Sequence, residues 1–570
     1  MTVRSGNQFA VSRQPGRNHR PGILFLVALL GTFGGCLSTW RRGGEDEEAN
    51  AKLAKLLNVP DPPDLIREAA VAKGMQAIRV DGYAVVDGLA GSGGAPEPSV
   101  MRDEILQEMR RDDIPNPNHF LDRNETALVE VRAIVPAGAR EGDPIDLLVI
   151  SPPESHAKDL HGGWMIGTQL RHQQLLNRRM RKSGVLAMGK GPVLTLGDCR
   201  PESDGSERLR GMVLAGGRVT ETRDLGLVLR PEFQHVQISA AIANAINRRF
   251  FFFDGTTRRG IATAKEDDYI QLEVHPRYAK NQGRLLEVVR AIGVKPESAE
   301  TQTRLAELGK RLGDPETASD AAIQLEGLGE SAIPTLLKGL ETSDLEVRFY
   351  VAEALAYLDR EEAIEPLIQA ARDTAAFRYP ALLALQGIEQ HQAIESLREL
   401  MNQESMETRY GAFCAVRRRP DAAGALAGEN VDGQFRLFTV PSEGTPAVVV
   451  SMRESPEIVV FGDVEPLDMK VPLFGSGGLM VRTNEESPGF VHISRFRPGK
   501  EDQFTSVPAT VPGLCRGIAS VGGGYGDVVS ILREAKANDC FTQRLAMDPL
   551  TAPLRTYHRD QKVDDELSQW

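Results

Sequence analysis

The spacing of apolar residues changes twice along the chain and divides it into three parts. Between about residues 76 and 150, short apolar runs and alternating positions predict strands over 83–86, 127–135 and 145–150, and a helix over 99–111. From about 301 to 419 the apolar residues fall at helical spacing, and after about 447 strand patterns return. The pattern therefore predicts an α+β region on each side of a helical segment.

The helical segment contains an internal repeat. Arg348, Arg378 and Arg409 each precede an aromatic residue, at intervals of 30 and 31 positions, and an Ala-Ile pair recurs with the same period. Two markers with one period indicate stacked helix pairs that resemble the short HEAT-like repeats of bacterial scaffold proteins. The repeats would form either a protein-binding ridge or a spacer. The three arginines would either line one surface or brace neighbouring helices.

The first 35 residues have the pattern of a secretory signal. Four arginines within the first 20 positions precede an apolar run over 23–30 that is too short to span a bilayer comfortably, and small residues then lead to Cys36. The pattern resembles a bacterial lipoprotein processing box, with Cys36 as the lipid attachment site; the alternative is an ordinary signal peptide with a chance cysteine. Leu37 is not the Asp that commonly retains lipoproteins in the inner membrane, which favours the outer membrane. Residues 36–75 then form a lipidated N-terminus and tether.

Composition limits the classes of protein. The chain has 570 residues and a net charge of −12, so it can bury several cores, and its dispersed basic residues predict no nucleic-acid partner. Four cysteines remain after Cys36, and no pair has CxxC spacing, so we expect no zinc site. Cys515 and Cys540 could form a disulfide, or they could be free buried thiols.

Other motifs predict no catalytic chemistry. His156 and His161 are expected to be exposed loop residues, because their spacing fits no metal-ligand pattern. The glycine loop at 88–94 lacks the Lys-Ser/Thr ending of a phosphate-binding loop and is interpreted as a tight turn. No GxSxG or HExxH string occurs, so we expect neither an enzyme nor a cofactor. The four phenylalanines at 250–253 would be either a packed loop or an exposed contact to a membrane or subunit.

Several of these segments resemble one known family. The strings at 80–93, 127–131 and 136–146, and the segment His161-Gly162-Gly163-Trp164 with the residues around it, are similar in content and order to the flagellar P-ring protein family. The resemblance returns after the repeats, in the strands at 447–451 and 456–464 and in the helix pair at 517–537. It implies that the helical repeats interrupt one family-like body.

The sequence thus predicts an α+β multidomain envelope protein with an inserted α-solenoid of HEAT-like repeats. The expected parts are the signal (1–35), the tether (36–75), the first part of the body (76–297), the repeats (298–425), the second part (426–548) and a tail (549–570). The resemblance implies a structural subunit of a periplasmic ring around the distal flagellar rod. Its partners would be other copies of itself, the rod, outer-membrane ring proteins and an unidentified protein at the repeats. The alternative is a non-flagellar lipoprotein scaffold that recruits protein partners through the repeats.

Overall fold

The computed structural model describes residues 58–111, 113–176, 179–200, 205–295, 299–483, 487–497, 501–551, 553 and 555–558, and all of its elements belong to one compact unit that begins at Val59. The signal and Cys36 lie outside the described residues. No helix in the described ranges is both long enough and apolar enough to cross a membrane.

The first large element is a seven-stranded sheet that closes on itself. Its strand order is β4-β3-β2-β5-β6-β8-β7, and a further pairing of β4 with β8 completes the circle. Alternating residues of these strands, among them Val131, Leu147 and Val213, point inward and are fully buried. The elements up to this point are α1 (Ile66–Ala69), β1 (Ala70–Lys73), β2 (Ile78–Asp87), α2 (Val100–Arg111), α3 (Pro117–Leu121), β3 (Ala127–Val135), β4 (Pro144–Ile150), β5 (Trp164–Leu176), β6 (Arg179–Pro192), β7 (Leu194–Thr195), α4 (Leu196–Cys199) and β8 (Arg210–Val219).

A smaller sheet and two helices follow the barrel. The sheet has the order β1-β9-β13-β12, so the chain returns to pair with its first strand, and buried residues of the two helices pack with this sheet in one core. A separate two-stranded hairpin contains three of the four consecutive phenylalanines. The elements are β9 (Leu225–Leu229), α5 (Val236–Arg249), β10 (Phe251–Asp254), β11 (Thr257–Gly260), β12 (Ala262–Ala264), β13 (Tyr269–Leu272) and α6 (Gln282–Ala291).

The predicted helical segment is a stack of four helix pairs. Each helix pair buries an apolar stripe against the next pair. Pro334 and Pro366 lie in the first turns of their helices, where an absent N–H removes no intrahelical hydrogen bond. The helices are α7 (Ala299–Leu312), α8 (Ala318–Leu328), α9 (Ile333–Gly339), α10 (Leu345–Tyr357), α11 (Ile364–Asp373), α12 (Ala375–Gly387), α13 (His391–Leu400) and α14 (Met406–Arg418).

The chain ends in two further sheets and a helix pair. A five-stranded mixed sheet has the order β14-β15-β17-β16-β22, and a four-stranded antiparallel sheet, β18 to β21, lies against the two helices. The elements are β14 (Glu429–Val431), β15 (Phe435–Val440), β16 (Ala447–Val450), β17 (Glu457–Phe461), β18 (Leu473–Phe474), β19 (Leu479–Thr483), β20 (Phe490–Arg495), β21 (Gln503–Pro508), α15 (Val511–Ser520), α16 (Tyr525–Ala537) and β22 (Arg544–Met547).

The α+β character and the helical segment are both as predicted. The glycine loop is a turn: Gly88 and Gly91 have φ values of +83° and +82°, which glycine adopts readily. The regions on either side of the solenoid also contact each other. Leu194 and Cys199 of the first region share a buried core with residues of the last two sheets.

Candidate functional site

The most buried polar contact between the first and last regions is centred on His161. Its ring lies between two carboxylates: Nδ1 is 2.7 Å from Oδ1 of Asp198, and Nε2 is 2.9 Å from Oδ1 of Asp527. The side chains of all three residues are at least nine-tenths buried. Because both ring nitrogens face carboxylate oxygens, the ring carries two N–H groups and a positive charge, and neither nitrogen is free to bind a metal.

Local structure holds both carboxylates in place. Asp198 closes a capping box at the start of α4, where its Oδ2 accepts hydrogen bonds from the backbone and side chain of Thr195. Asp527 lies in the first turn of α16, where its Oδ2 accepts from the backbone N–H of Gly524. Gly526 has no side chain in the way; a Cβ there would come within 3.0 Å of Asp198. The closing helix can therefore approach the barrel closely.

The expectation that His161 is an exposed loop residue was wrong. Burial alone would lower the pKa of His161, but the hydrogen bonds and charges of Asp198 and Asp527 outweigh it and raise the pKa to about 10. The pKa of Asp527 is lowered: burial acts to raise it, but His161 and Arg495 act more strongly in the other direction. His156 is exposed as expected, and its Nε2 lies 3.0 Å from Glu97.

A second buried ion cluster joins the first region to the solenoid. Arg284 on α6 forms ion pairs with Glu326 of α8 at 2.6 Å and with Glu353 of α10 at 2.5 Å. The hydroxyl of Tyr278 donates to Glu326, and Tyr278 stacks on Tyr357 with ring centroids 4.5 Å apart. Burial opposes the charge of Arg284, but the two glutamates raise its pKa above the usual value. The solenoid is therefore fixed to the body by charge as well as by apolar packing.

Two of the periodic arginines brace helices and do not line a surface. Arg378 is buried, and its Nε donates to the carbonyl of Ala371 in the last turn of α11. Arg409 is also buried; it donates to the carbonyl of Met401 at 2.8 Å and to that of Thr445 at 2.7 Å. Arg348 is half-buried and occupies the equivalent position one repeat earlier. Of the two roles left open by the sequence, the structure supports bracing for Arg378 and Arg409.

A large cleft of about 2220 Å³ lies between the first region and the solenoid. Its solenoid wall includes residues at the C-terminal ends of α8, α10, α12 and α14, and its other wall includes the turn after β3, the end of α5 and the loop before α6. Residues 250–253 line the same cleft. Phe250 is buried, whereas 66% of Phe253 is exposed, so this segment is partly a packed element and partly a free surface.

The four cysteine residues in the described part of the chain are all unpaired and buried. Cys199, Cys414, Cys515 and Cys540 are free thiols in this structure, and no disulfide joins Cys515 to Cys540. Burial raises the pKa of the Cys515 thiol to about 12. Such thiols are weak nucleophiles.

Sequence reasoning missed the His161 cluster and the cleft. The cluster joins residues from three distant segments, and no local spacing connects His161 with a partner 366 positions away. One signal was present: Asp527 follows a run of glycines at the start of a helix, where a carboxylate caps the backbone and a close neighbour can approach.

Two regions of the chain are similar to known protein families. Residues 65–304 match the family model of the flagellar P-ring protein, and residues 304–386 match that of HEAT repeats. The flagellar P-ring protein of Yersinia pseudotuberculosis serotype O:3 (strain YPIII) is 28% identical over 257 residues, which cover 42% of this chain and 64% of the relative. That of Campylobacter jejuni subsp. jejuni serotype O:2 (strain ATCC 700819 / NCTC 11168) is 31% identical over 156 residues, 27% of this chain and 42% of the relative.

Residues 65–304 are therefore similar to flagellar P-ring proteins and residues 304–386 to HEAT repeats, and the resemblance predicted from the sequence is confirmed over those residues. This chain spans less than two thirds of the length of these relatives. Among solved structures, the complex of CpcE and CpcF of phycocyanin lyase from Nostoc sp. PCC7120 is 26% identical over 22% of this chain and 83% of that chain. Its TM-score of 0.18 is too low to support an argument.

Proposed function

We propose that this chain is a structural subunit of a flagellar P-ring-like assembly around the distal rod in the bacterial periplasm. The observation that carries the proposal is the family match over residues 65–304, which includes the closed barrel and the sheet beside it. Copies would associate through repeated heterologous contacts that close by rotation into a ring. The rod and the outer-membrane ring would be its neighbours, and its role would be assembly without catalysis.

We further propose that residues 426–548 complete the same body and that the solenoid is an insertion within it. Three contacts support this arrangement: His161 with Asp527, the guanidinium of Arg533 with the carbonyl of Gly197 at 2.9 Å, and the backbone N–H of Glu454 with Asp146 at 2.8 Å. Each joins residues more than 300 positions apart across the repeats. An appended domain on a flexible linker would not need a buried ionic contact such as that between His161 and Asp527.

At the N-terminus we propose lipidation at Cys36 and anchoring in the outer membrane. The support is the order of basic, apolar and small residues that ends at this cysteine. Growth of cells with a labelled fatty acid should label the full chain and leave a Cys36→Ser variant unlabelled. Equal labelling of both proteins would contradict lipidation at Cys36 and leave the ring proposal untouched.

A deletion strain tests the flagellar role. Loss of the gene should abolish spreading in soft agar, and full-length protein supplied from a plasmid should restore it. The His156→Leu variant should also restore spreading, because His156 is an exposed residue. Normal spreading of the deletion strain would contradict the proposal and would favour a scaffold that recruits other envelope proteins.

A further inference from the structure

The size of the cleft between the first region and the solenoid limits the kinds of ligand that would fill it. Sites for a single drug-sized molecule enclose roughly 300–1,000 Å³. At about 2220 Å³, this cleft has room for an extended chain segment. Concave surfaces beside helical repeats are suited to binding such segments.

The cleft carries positive charge on a protein that is negative overall. Nine cationic and six acidic side chains line it, an excess of three positive charges, while the whole chain has a net charge of −12. Four of the acids form ion pairs within the cleft: Asp64 with Lys295, Asp359 and Glu389 with Arg277, and Asp421 with Arg419. Asp143 and Glu330 are the remaining two.

Four of the cations outside the solenoid face the cleft without such a partner. Arg140, Arg248, Arg249 and Lys280 line it and form no ion pair with any carboxylate in the described ranges. Arg140, Arg248 and Lys280 are also exposed to solvent. They lie on the wall opposite the solenoid and are therefore available to carboxylates of a ligand.

Two of the helix C-termini on the solenoid wall hydrogen-bond to guanidinium groups. Carbonyl groups at helix ends carry partial negative charge. Here Arg419 donates to the carbonyls of Gln386 and Ile388 at the end of α12, and Arg277 donates to that of Tyr357 at the end of α10. These two guanidinium groups reduce the partial negative charge that the ends of α10 and α12 present to the cleft.

An apolar surface accompanies the cations. Phe251 and Phe253 are on the same face of the β10–β11 hairpin, with ring centroids 5.8 Å apart, and Phe253 is 66% exposed. A polyphosphate or a sugar polymer has little apolar surface to cover these rings. A polypeptide can supply carboxylates and apolar side chains in the same extended segment.

We propose that the cleft binds an extended acidic segment of a partner protein, with carboxylates paired to Arg140, Arg248 and Lys280 and an apolar side chain against Phe253. This inference deepens the proposed function, on which it rests for its biological setting, because it assigns the repeats' partner a surface and a chemistry. Binding in solution needs no flagellum, so its failure would be distinguishable from failure of the ring proposal.

The test uses the full chain in detergent and a short fluorescein-labelled peptide in which Glu alternates with Phe and Ser, followed by fluorescence anisotropy. The charge variant combines Arg140→Ala, Arg248→Ala and Lys280→Ala. Its matched control combines Lys158→Ala, Lys338→Ala and Arg482→Ala, three exposed cations outside the cleft with the same change in net charge. Circular dichroism confirms that both variants are folded.

The charge variant should bind the peptide about tenfold more weakly, since three ion pairs are lost, and the control should bind as the parent does. Phe253→Ser should weaken binding with all cations intact, and replacing every Glu of the peptide by Gln should abolish it. Equal weakening by the control variant would overturn the proposal. So would heparin or polyphosphate binding more tightly than the peptide, because the cleft would then be a site for a non-protein polyanion.

Discussion

Nε2 of His161 lies 2.9 Å from Oδ1 of Asp527, although 366 positions and the whole solenoid separate the two residues in sequence. Nδ1 of the same ring contacts Asp198, so a single imidazolium ring connects a loop of the barrel with both the capping box of α4 and the first turn of the closing helix. The contact is buried, so solvent does not screen it strongly. It makes the stability of the first and last regions interdependent.

Replacement of His161 by Leu should therefore destabilise the protein strongly. The change leaves two buried carboxylates without their shared cation, and removal of one partner from a buried ion pair costs about 3–5 kcal/mol. His156→Leu is the matched control: that ring is exposed beside Glu97, so its loss should cost less than about 1 kcal/mol. Urea unfolding of both full-length variants gives the comparison, and similar losses for the two would contradict a bridging role for His161.

The same residue predicts how stability depends on pH. The pKa of His161 rises from 6.5 to about 10 on folding, so the stabilisation it gives is complete below pH 6.5 and is lost as pH rises toward 10. Over that range the free energy of unfolding of the parent should fall relative to that of His161→Gln, by up to about 1.4 kcal/mol per pH unit. Unfolding curves at several pH values test this. Parallel pH profiles would show that His161 is not protonated in the folded protein.

Arg284 should control how firmly the solenoid is attached. In Arg284→Met the buried Glu326 and Glu353 lose their common cation, and we expect a loss of about 3–5 kcal/mol. Limited proteolysis should then cut between α6 and α8 at protease concentrations that the parent resists. Arg398→Met, which removes an exposed arginine beside Glu395, should leave the cleavage pattern unchanged. An uncut Arg284→Met protein would mean that apolar packing alone holds the solenoid in place.

Arg409 offers a test of the bracing role. Arg409→Lys keeps the charge but cannot reproduce the guanidinium contacts with the carbonyls of Met401 and Thr445, so about 1–3 kcal/mol should be lost. Arg348→Lys changes the same residue type at the equivalent position of an earlier repeat, where the side chain is half-buried, and should cost less. Thermal unfolding of the two variants shows which substitution lowers the stability more. A larger effect at Arg348 would contradict bracing at Arg409.

Local patterns in the sequence predicted most of the elements. The helical spacing of apolar residues predicted the solenoid. The helix predicted over 99–111 is observed as Val100–Arg111. These elements follow from the spacing of apolar residues within one segment. The same is true of the glycine loop, where a positive φ is a local requirement.

Contacts between distant segments could not be predicted in this way. His161 was expected to be an exposed loop residue because its spacing from His156 fits no metal-ligand pattern. The side chain is buried between Asp198 and Asp527, which only the fold brings to it. The cleft has the same origin, since its cations come from a turn, a helix end and a loop that are separate in sequence. Only the tertiary structure places these groups together.

Electron microscopy of basal bodies tests the central proposal most directly. Basal bodies would be extracted in detergent from cells in which this protein carries a C-terminal tag, and then labelled with gold against the tag. We expect gold on a ring around the distal rod, with that ring absent from the deletion strain. Gold spread through the envelope, with intact rings in the deletion strain, would contradict a role as a subunit of the ring.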